Sequence, residues 1–149
     1  MKKYLVIGNP ITHSLSPKLH NHWIKENNID AVYEKKLIKE VDIEKIISEI
    51  KNGEIEGINV TVPFKQLIIP FLDEATPLAR ETKSVNTIYK KAGKIIGENT
   101  DASGFKNSLE YIKYNVKGKK IFILGAGGVA PSIISALKTM GSSEIILSN

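Results

Sequence analysis

The sequence has no cysteine, so disulfide bonds, thiolate catalysis and cysteine-based metal sites are excluded. It has three histidines, which lack further ligands nearby in the sequence, so we predict no metal site. It also has no apolar run near the roughly 20 residues that a membrane-spanning helix needs. Residues 1–8 are basic and then apolar, but Asn9 and Pro10 end that run before it reaches the length of a secretory signal. These absences predict a cytoplasmic protein with no membrane partner.

Arginine is scarce as well, because Arg80 is the single arginine among 21 basic residues. The net charge is +5 and the isoelectric point is about 9.3, which suggests nucleic acid as a partner. The lysines are interleaved with glutamates, however, and no compact basic block lies beside aromatic residues. We therefore predict no nucleic-acid partner. The charge indicates a solvated lysine-rich surface or, as an alternative, a positive field that attracts anionic small molecules.

Apolar runs and helical patterns alternate along the 149 residues. A serine and a proline at positions 16 and 17 predict the start and cap of a helix, with Leu19 and Trp23 on its inner face. Asp42 is predicted to cap a second helix that carries isoleucines at helical spacing. The predicted strands cover residues 4–8, 32–37, 57–62, 84–89, 94–97, 119–124 and 144–149, and the later helices start near residues 101 and 127. This alternation predicts an α/β fold, with a mainly parallel sheet and helices on both of its faces.

A glycine-rich loop lies between the sixth of these strands and the last helix. In dinucleotide-binding folds such a loop lets the backbone approach a pyrophosphate at the helix N-terminus. Pro131 lies near the position of the usual third glycine, and a purely structural strand-to-helix turn is the alternative interpretation. We predict that the loop binds a cofactor and belongs to the first β-α-β unit of a Rossmann domain. The residues concerned are Gly125, Ala126, Gly127, Gly128 and Val129.

The cofactor ribose is recognised in such folds at the end of the second strand, roughly 20 residues after the loop. In this chain that position falls at Asn149, the last residue. Two parallel strands and one crossover helix leave sheet edges that require further strands. We therefore expect the chain to be the N-terminal part of a longer protein.

Polar residues follow several of the strands predicted before residue 101. Hydroxyls beside a helix N-terminus suit a carboxylate. Each residue also has a plainer explanation, as a helix cap, a turn or a surface lysine. Because open α/β sheets bind ligands at the carboxyl ends of their strands, we expect these side chains to face one cleft. The residues are Ser14, Ser16, Thr61, Lys65, Asn86 and Asp101.

The motifs GNPITHSLSP, NVTVPFK, SVNT, GENTDASGF and LGAGGVA resemble those of shikimate dehydrogenases in order and spacing, over essentially all 149 residues. The resemblance implies an oxidoreductase that interconverts shikimate and 3-dehydroshikimate with NADP, in the chorismate pathway of aromatic amino acid biosynthesis. It also implies a homodimer for the full-length form. This chain alone is expected to bind shikimate weakly and to turn over little or not at all.

The resemblance also assigns roles to the polar residues. It implies that Lys65 and Asp101 form the catalytic pair, that Ser14 and Ser16 hold the substrate carboxylate, and that Thr61, Asn86 and Asp101 bind the ring hydroxyls. Asn149 matches the first residue of the family's Asn-Arg-Thr segment, which recognises the 2′-phosphate of NADP. The implied domains are a substrate-binding catalytic domain over residues 1–101, a linker helix over 102–117 and the start of an incomplete NADP-binding domain over 118–149.

The sequence departs from the family pattern at three positions. Many relatives have serine where Thr12 stands, and Val129 and Pro131 replace the usual residues after the glycines. Two alternatives are also retained: a related dehydrogenase that also uses quinate, with NAD, and a non-catalytic ligand sensor on the same scaffold. Retention of both Lys65 and Asp101 favours an enzyme over a sensor, because binding alone needs no proton relay.

Overall fold

Two separate β-sheets organise the chain in the computed structural model, which describes residues 1–148. The strands are β1 (Lys2–Gly8), β2 (Ala31–Leu37), β3 (Gly57–Val60), β4 (Glu74–Ala75), β5 (Thr87–Lys91), β6 (Lys94–Glu98), β7 (Lys120–Leu124) and β8 (Glu144–Ser148). The helices are α1 (Ser16–Glu26), α2 (Ile43–Lys51), α3 (Phe64–Leu67), α4 (Pro77–Thr82), α5 (Asp101–Tyr111) and α6 (Ala130–Thr139), with 3-10 turns at Glu40–Asp42 and Ile69–Phe71.

The larger sheet has the strand order β2-β1-β3-β5-β6-β4. Strand β1 pairs in parallel with β2 and with β3, and β4 pairs in parallel with β6, whereas β5 is antiparallel to both β3 and β6. The exception has a local cause: β5 and β6 are joined by a two-residue turn at Ala92 and Gly93, both with positive φ, and a turn this short joins only antiparallel strands. The prediction of a mainly parallel sheet is confirmed.

The sheet has apolar packing on both faces because alternate side chains of β1 point in opposite directions. Leu5 and Ile7 enter a large core that also contains the buried isoleucines of α2. Val6 lies in a smaller cluster on the opposite face with Tyr33, against which Ile24 of α1 packs. Helices therefore cover both faces, as the sequence pattern predicts.

Helix α1 is attached to the sheet differently from the prediction. Leu19 and Trp23 are 48% and 50% exposed, so the prediction that they form an inner face is wrong. The helix is held instead by Asn21, whose side chain donates to the carbonyl of Tyr33 at 2.7 Å and accepts from its N–H at 2.9 Å. These bonds satisfy backbone groups of the edge strand β2, which a sheet edge otherwise leaves unpaired.

The capping predictions also need correction. Helix α1 does begin at Ser16, but the hydroxyl that accepts a bond from its first N–H is that of Ser14, at 3.3 Å. Asp42 makes no side-chain cap on α2; its carboxylate accepts from the N–H of Lys39 at 2.8 Å and stabilises the preceding 3-10 turn. Asx and Ser side chains bond whichever nearby N–H the local turn presents, so sequence position alone does not identify the cap.

His20 provides a test of packing on this face of the sheet. Its ring stacks on Tyr33 with centroids 4.2 Å apart, and burial lowers the pKa of His20 below its ordinary value. As the pH falls below about 6.5, His20 binds protons more readily in the unfolded chain than in the folded one. The contribution of the neutral ring to the free energy of unfolding is therefore fully present above that pH and is lost as the pH falls through the folded-state pKa. His20→Gln is expected to reduce this acid-side loss in urea unfolding between pH 8 and pH 5. The exposed His22→Gln is the matched control, and equal pH dependence in both variants would contradict the assignment.

The second sheet consists of β7 and β8, which pair in parallel from Lys120 with Glu144 to Leu124 with Ser148. Helix α6 forms the crossover between them, which confirms the predicted β-α-β unit. The helix starts at Ala130 and not near residue 127, because the glycine loop extends to its N-cap at Val129. Among residues 1–148, no helix combines the length and hydropathy required to cross a membrane.

Candidate active site

The register of the larger sheet brings several strand ends to one edge. Ile7 lies beside Val60, and Thr87 lies beside both Asn59 and Glu98. The residues that follow β1, β3 and β6, and those that precede the reversed strand β5, therefore share this edge. Every polar residue predicted for the first domain's site belongs to one of these segments.

Close contact between the exits of β1 and β3 positions Thr61. Its N–H donates to the carbonyl of Ile7 at 3.0 Å, and the N–H of Asn9 donates to the carbonyl of Val62 at 2.9 Å. A Cβ on Gly8 would lie 2.5 Å from Cγ2 of Thr61, so glycine permits this approach. Ser14, Ser16 and Thr61 consequently line a single surface cavity of about 270 Å³.

Lys65 and Asp101 form an ion pair at the same edge of the sheet. Lys65 lies on the short helix α3 and Asp101 is the first residue of α5. Lys65 Nζ is 2.6 Å from Asp101 Oδ2, and the side chains are only 11% and 21% exposed. At this burial the two charges are screened less than a surface pair would be.

Asn86 holds the other oxygen of the aspartate. Its Nδ2 donates to Asp101 Oδ1 at 2.8 Å and to Thr100 Oγ1 at 2.9 Å, while its Oδ1 accepts from the N–H of Thr100 at 2.9 Å. Both carboxylate oxygens of Asp101 are thus occupied, one by an ammonium and one by an amide. The structure joins Lys65, Asn86 and Asp101 in one hydrogen-bonded chain.

Asp101 does not cap helix α5, contrary to the plainer explanation of this residue. The side-chain oxygen of Asn99 accepts from the N–H groups of Asp101 and Ala102, at 3.1 and 3.3 Å. The carboxylate of Asp101 is therefore available to Lys65 and Asn86.

The glycine loop lies next to the lysine. Gly128 lines a cavity of about 340 Å³ with Lys65, and a Cβ on Gly128 would lie 3.9 Å from Lys65 Cδ. Ser84 Oγ fixes the loop by donating to the carbonyl of Gly128 at 3.2 Å. Lys65 therefore belongs both to the hydrogen-bonded chain with Asp101 and to the cavity at the base of this loop.

The loop has the properties that a pyrophosphate site needs. Gly125 has a φ of +98°, and no atom lies within 4 Å of where a Cβ on Gly125 or Gly127 would stand. Within residues 1–148, no backbone acceptor bonds the N–H of Gly127 or Gly128. Ala126 and Val129 are exposed beside them. These residues fit an anionic group approaching the backbone at the start of α6; the predicted contact at Asn149 lies outside the described residues.

Sequence reasoning did not find a supporting network beneath Asn86. Asn59 Nδ2 donates to Thr87 Oγ1 at 3.1 Å, and Thr87 Oγ1 donates to Asn86 Oδ1 at 3.1 Å. Tyr33 extends the network by donating its phenolic O–H to Asn59 Oδ1 at 2.6 Å. Burial raises the pKa of Tyr33 well above its ordinary value, so its proton is retained. The signal available in the sequence was an amide and a hydroxyl inside otherwise apolar strands, where burial requires a partner.

The fold and the site define a class of α/β protein in which a glycine loop lies next to the lysine of a largely buried lysine–aspartate pair. The family profile of the shikimate dehydrogenase substrate binding domain matches residues 6–88, more than half of the chain. The chain belongs to the shikimate dehydrogenase family.

Similar proteins extend this relationship over the whole chain. The shikimate dehydrogenase (NADP(+)) of Pelagibacter ubique is 60% identical over 148 residues, which are 99% of this chain and 56% of that protein. Shikimate dehydrogenase 1 of Peptoclostridium difficile matches with a TM-score of 0.94 and 32% identity, over 100% of this chain and 55% of that one. The shikimate 5-dehydrogenase of Listeria monocytogenes, in complex with shikimate and NAD, matches with a TM-score of 0.90 and 31% identity, over 99% of this chain and 51% of that one. The chain thus spans about half the length of these relatives.

Proposed function

We propose that this chain provides the substrate-binding and catalytic residues of an enzyme that interconverts shikimate and 3-dehydroshikimate with NADP, in chorismate and aromatic amino acid biosynthesis. The observation that carries the proposal is the pair of Lys65 and Asp101, 2.6 Å apart and largely buried, with Lys65 lining the same cavity as Gly128 of the glycine loop. A proton-transfer pair beside a nucleotide-binding loop suits alcohol oxidation and has no use in a ligand sensor.

The chemistry follows from the balance of the reaction. When the 3-hydroxyl is oxidised, C3 loses a hydride and the oxygen loses a proton; NADP, when bound, accepts the hydride. Lys65 Nζ is the group placed to exchange the proton, because its partner Asp101 holds it at the edge where the strands end. In the reverse direction the same ammonium donates to the carbonyl oxygen. Asn86 keeps the carboxylate of Asp101 oriented through both directions.

Substrate orientation is assigned to the neighbouring cavity. Ser14 and Ser16 line it beside the start of α1, an 11-residue helix whose N-terminal N–H groups favour negative charge. We assign the carboxylate of shikimate to these hydroxyls and the ring hydroxyls to Thr61, Asn86 and Asp101. Ring oxygens held in this way would present C3 toward Lys65.

Removal of one serine hydroxyl is expected to weaken binding more than turnover. A hydrogen bond to a charged group contributes about 1.5–3 kcal/mol, so Ser14→Ala is expected to raise the KM for shikimate roughly ten-fold or more. The kcat is expected to change little, because the carboxylate is remote from C3. The assay uses the product of the complete reading frame, with Ser108→Ala on the exposed side of α5 as the control. An unaltered KM in Ser14→Ala would count against the carboxylate assignment.

The cofactor proposal rests on the open glycine loop and on the relatives' names. We assign the pyrophosphate to Gly125, Ala126, Gly127, Gly128 and Val129, and the 2′-phosphate side to Asn149. The Listeria structure contains NAD, so cofactor choice requires a direct assay. Steady-state rates with NADP and NAD, each paired with shikimate and quinate, are expected to give the highest kcat/KM for NADP with shikimate. A preference for quinate with NAD would support the alternative dehydrogenase, and no oxidation with any pair would overturn the proposal.

The same proposal keeps the predicted division of the chain. The larger sheet lies within residues 1–101, helix α5 and its following turn cover most of 102–117, and the second sheet lies within 118–149. Assembly of the full-length form into a homodimer, cytoplasmic location and the lack of a nucleic-acid partner remain predictions from the sequence.

A further inference from the structure

Asn99 occupies a central position between the two sheets. It follows β6 directly, precedes the ion-pair residue Asp101 by two positions, and is 3% exposed. Its side chain bonds to partners on both sides of the cleft.

The two ends of the amide contact different parts of the molecule. The oxygen Oδ1 accepts from the N–H groups of Asp101 and Ala102, which begin α5. The nitrogen Nδ2 donates to Ser132 Oγ at 2.7 Å, and Ser132 is fully buried in the first turn of α6. A backbone N–H can only donate, so the orientation of the amide is determined by its surroundings.

The nitrogen is also anchored to the substrate side. It lies 3.0 Å from Thr82 Oγ1 and 2.9 Å from the carbonyl oxygen of Ser84. Ser84 in turn donates its hydroxyl to the carbonyl of Gly128 in the glycine loop. One planar amide thus joins the backbone that carries Asp101 to the helix that follows the loop.

We propose that Asn99 is a positioning residue that sets the distance between the Lys65–Asp101 pair and the glycine loop, and thereby the geometry of hydride transfer. This inference rests on the proposed function for its catalytic consequence. The amide is rigid and fully bonded, so a shift of α6 moves the first turn of α5, and a small misplacement of reacting groups is costly in rate.

Ser132→Ala removes the bond between Asn99 and α6 with the least disturbance elsewhere. An amide nitrogen has two hydrogens, and after this substitution Thr82 and Ser84 still accept both, so no buried donor is left unpaired. Ser135→Ala is the matched control: the same change one turn later on α6, removing an exposed bond to Glu81.

The activity test uses the product of the complete reading frame and shikimate deuterated at C3. Ser132→Ala is expected to lower kcat roughly 3–30-fold with little change in KM, and to raise the deuterium isotope effect on kcat, because hydride transfer becomes slower relative to product release. Ser135→Ala is expected to match the wild type. A loss of folded enzyme would lower kcat without changing the isotope effect. Equal isotope effects in both variants and the wild type would overturn the catalytic consequence.

A second measurement, hydrogen exchange on the 149-residue chain, does not depend on activity. Asn99→Ala is expected to accelerate exchange at the amides of Asp101 and Ala102 together with those of Ile133 and Ile134 in α6. Ser132→Ala, which leaves both bonds to Asn99 Oδ1 in place, is expected to retain protection in α5 while losing it in α6. Unchanged α6 protection in both variants would overturn the inference. If the wild type oxidises neither shikimate nor quinate, the proposed function fails, and this measurement alone decides whether Asn99 couples the two helices.

Discussion

Replacing Lys65 with alanine is expected to lower kcat for shikimate oxidation by about 10²–10⁴-fold, the usual contribution of a positioned acid–base group. Shikimate binding is expected to change far less, because Ser14, Ser16 and Thr61 line a cavity that does not include the lysine. Steady-state kinetics would measure the loss of turnover, and calorimetric titration with shikimate would measure binding.

One further variant separates proton transfer from charge, and a second serves as a control. Lys65→Arg keeps a cation opposite Asp101 but cannot release a proton at neutral pH, so it is expected to remain slow. Lys45→Ala removes an exposed lysine from α2 and is expected to behave as the wild type. Wild-type turnover in Lys65→Ala would remove the lysine from the mechanism. Recovery of turnover in Lys65→Arg would reduce its role to electrostatic support.

Asp101→Asn is expected to produce a loss of similar size, roughly 10²–10⁴-fold in kcat. The substitution keeps the size of the side chain but removes the charge that holds Lys65 Nζ at 2.6 Å. An amide also has only one oxygen to offer, whereas Asp101 accepts from both Lys65 and Asn86. In the variant, one of these two contacts places two hydrogen-bond donors opposite each other, which is unfavourable.

The double variant Lys65→Ala with Asp101→Asn distinguishes a functional unit from two independent residues. Groups that act together in catalysis show strongly non-additive losses, so the double variant is expected to be about as slow as either single one. Asp42→Asn is the control, because the carboxylate of Asp42 accepts from the N–H of Lys39 and makes no contact with Lys65 or Asp101. Losses that multiply in the double variant would show that the residues contribute separately.

Local patterns predicted the fold well wherever the period was strong. The isoleucines of α2 specify their helix through side-chain spacing alone. Helices α3 and α4 and strand β4, by contrast, were not predicted, since runs of two to six residues are too short to show a period. Leu19 and Trp23 show the opposite error, because their helical spacing was read as burial although α1 is anchored by the polar side chain of Asn21.

Some residues of the site could likewise be predicted from the sequence, and others could not. The site residues that follow β1, β3 and β6 could be named from the sequence, because the carboxyl ends of parallel strands share one edge of the sheet. Asn86 instead precedes the antiparallel strand β5, whose start, predicted at residue 84, lies at Thr87. The partners of Asn99 and Asn59 could not be named. Asn99 bonds Ser132, 33 positions away, and Asn59 bonds Thr87, 28 positions away, and no local pattern specifies such contacts. Burial of a polar side chain reveals that a partner exists, but only the folded structure identifies it.

We propose that hydroxyl, amide, ammonium and carboxylate groups from separate segments at one sheet edge form one shikimate site. Titration of the 149-residue chain with shikimate, followed by NMR of its backbone amides, tests this most directly. We expect saturable shifts that are largest at Ser14, Ser16, Thr61, Asn86 and Asp101. We also expect clearly weaker binding of shikimate methyl ester, which lacks the carboxylate charge. Shifts confined to other surfaces, or equal binding of acid and ester, would contradict it.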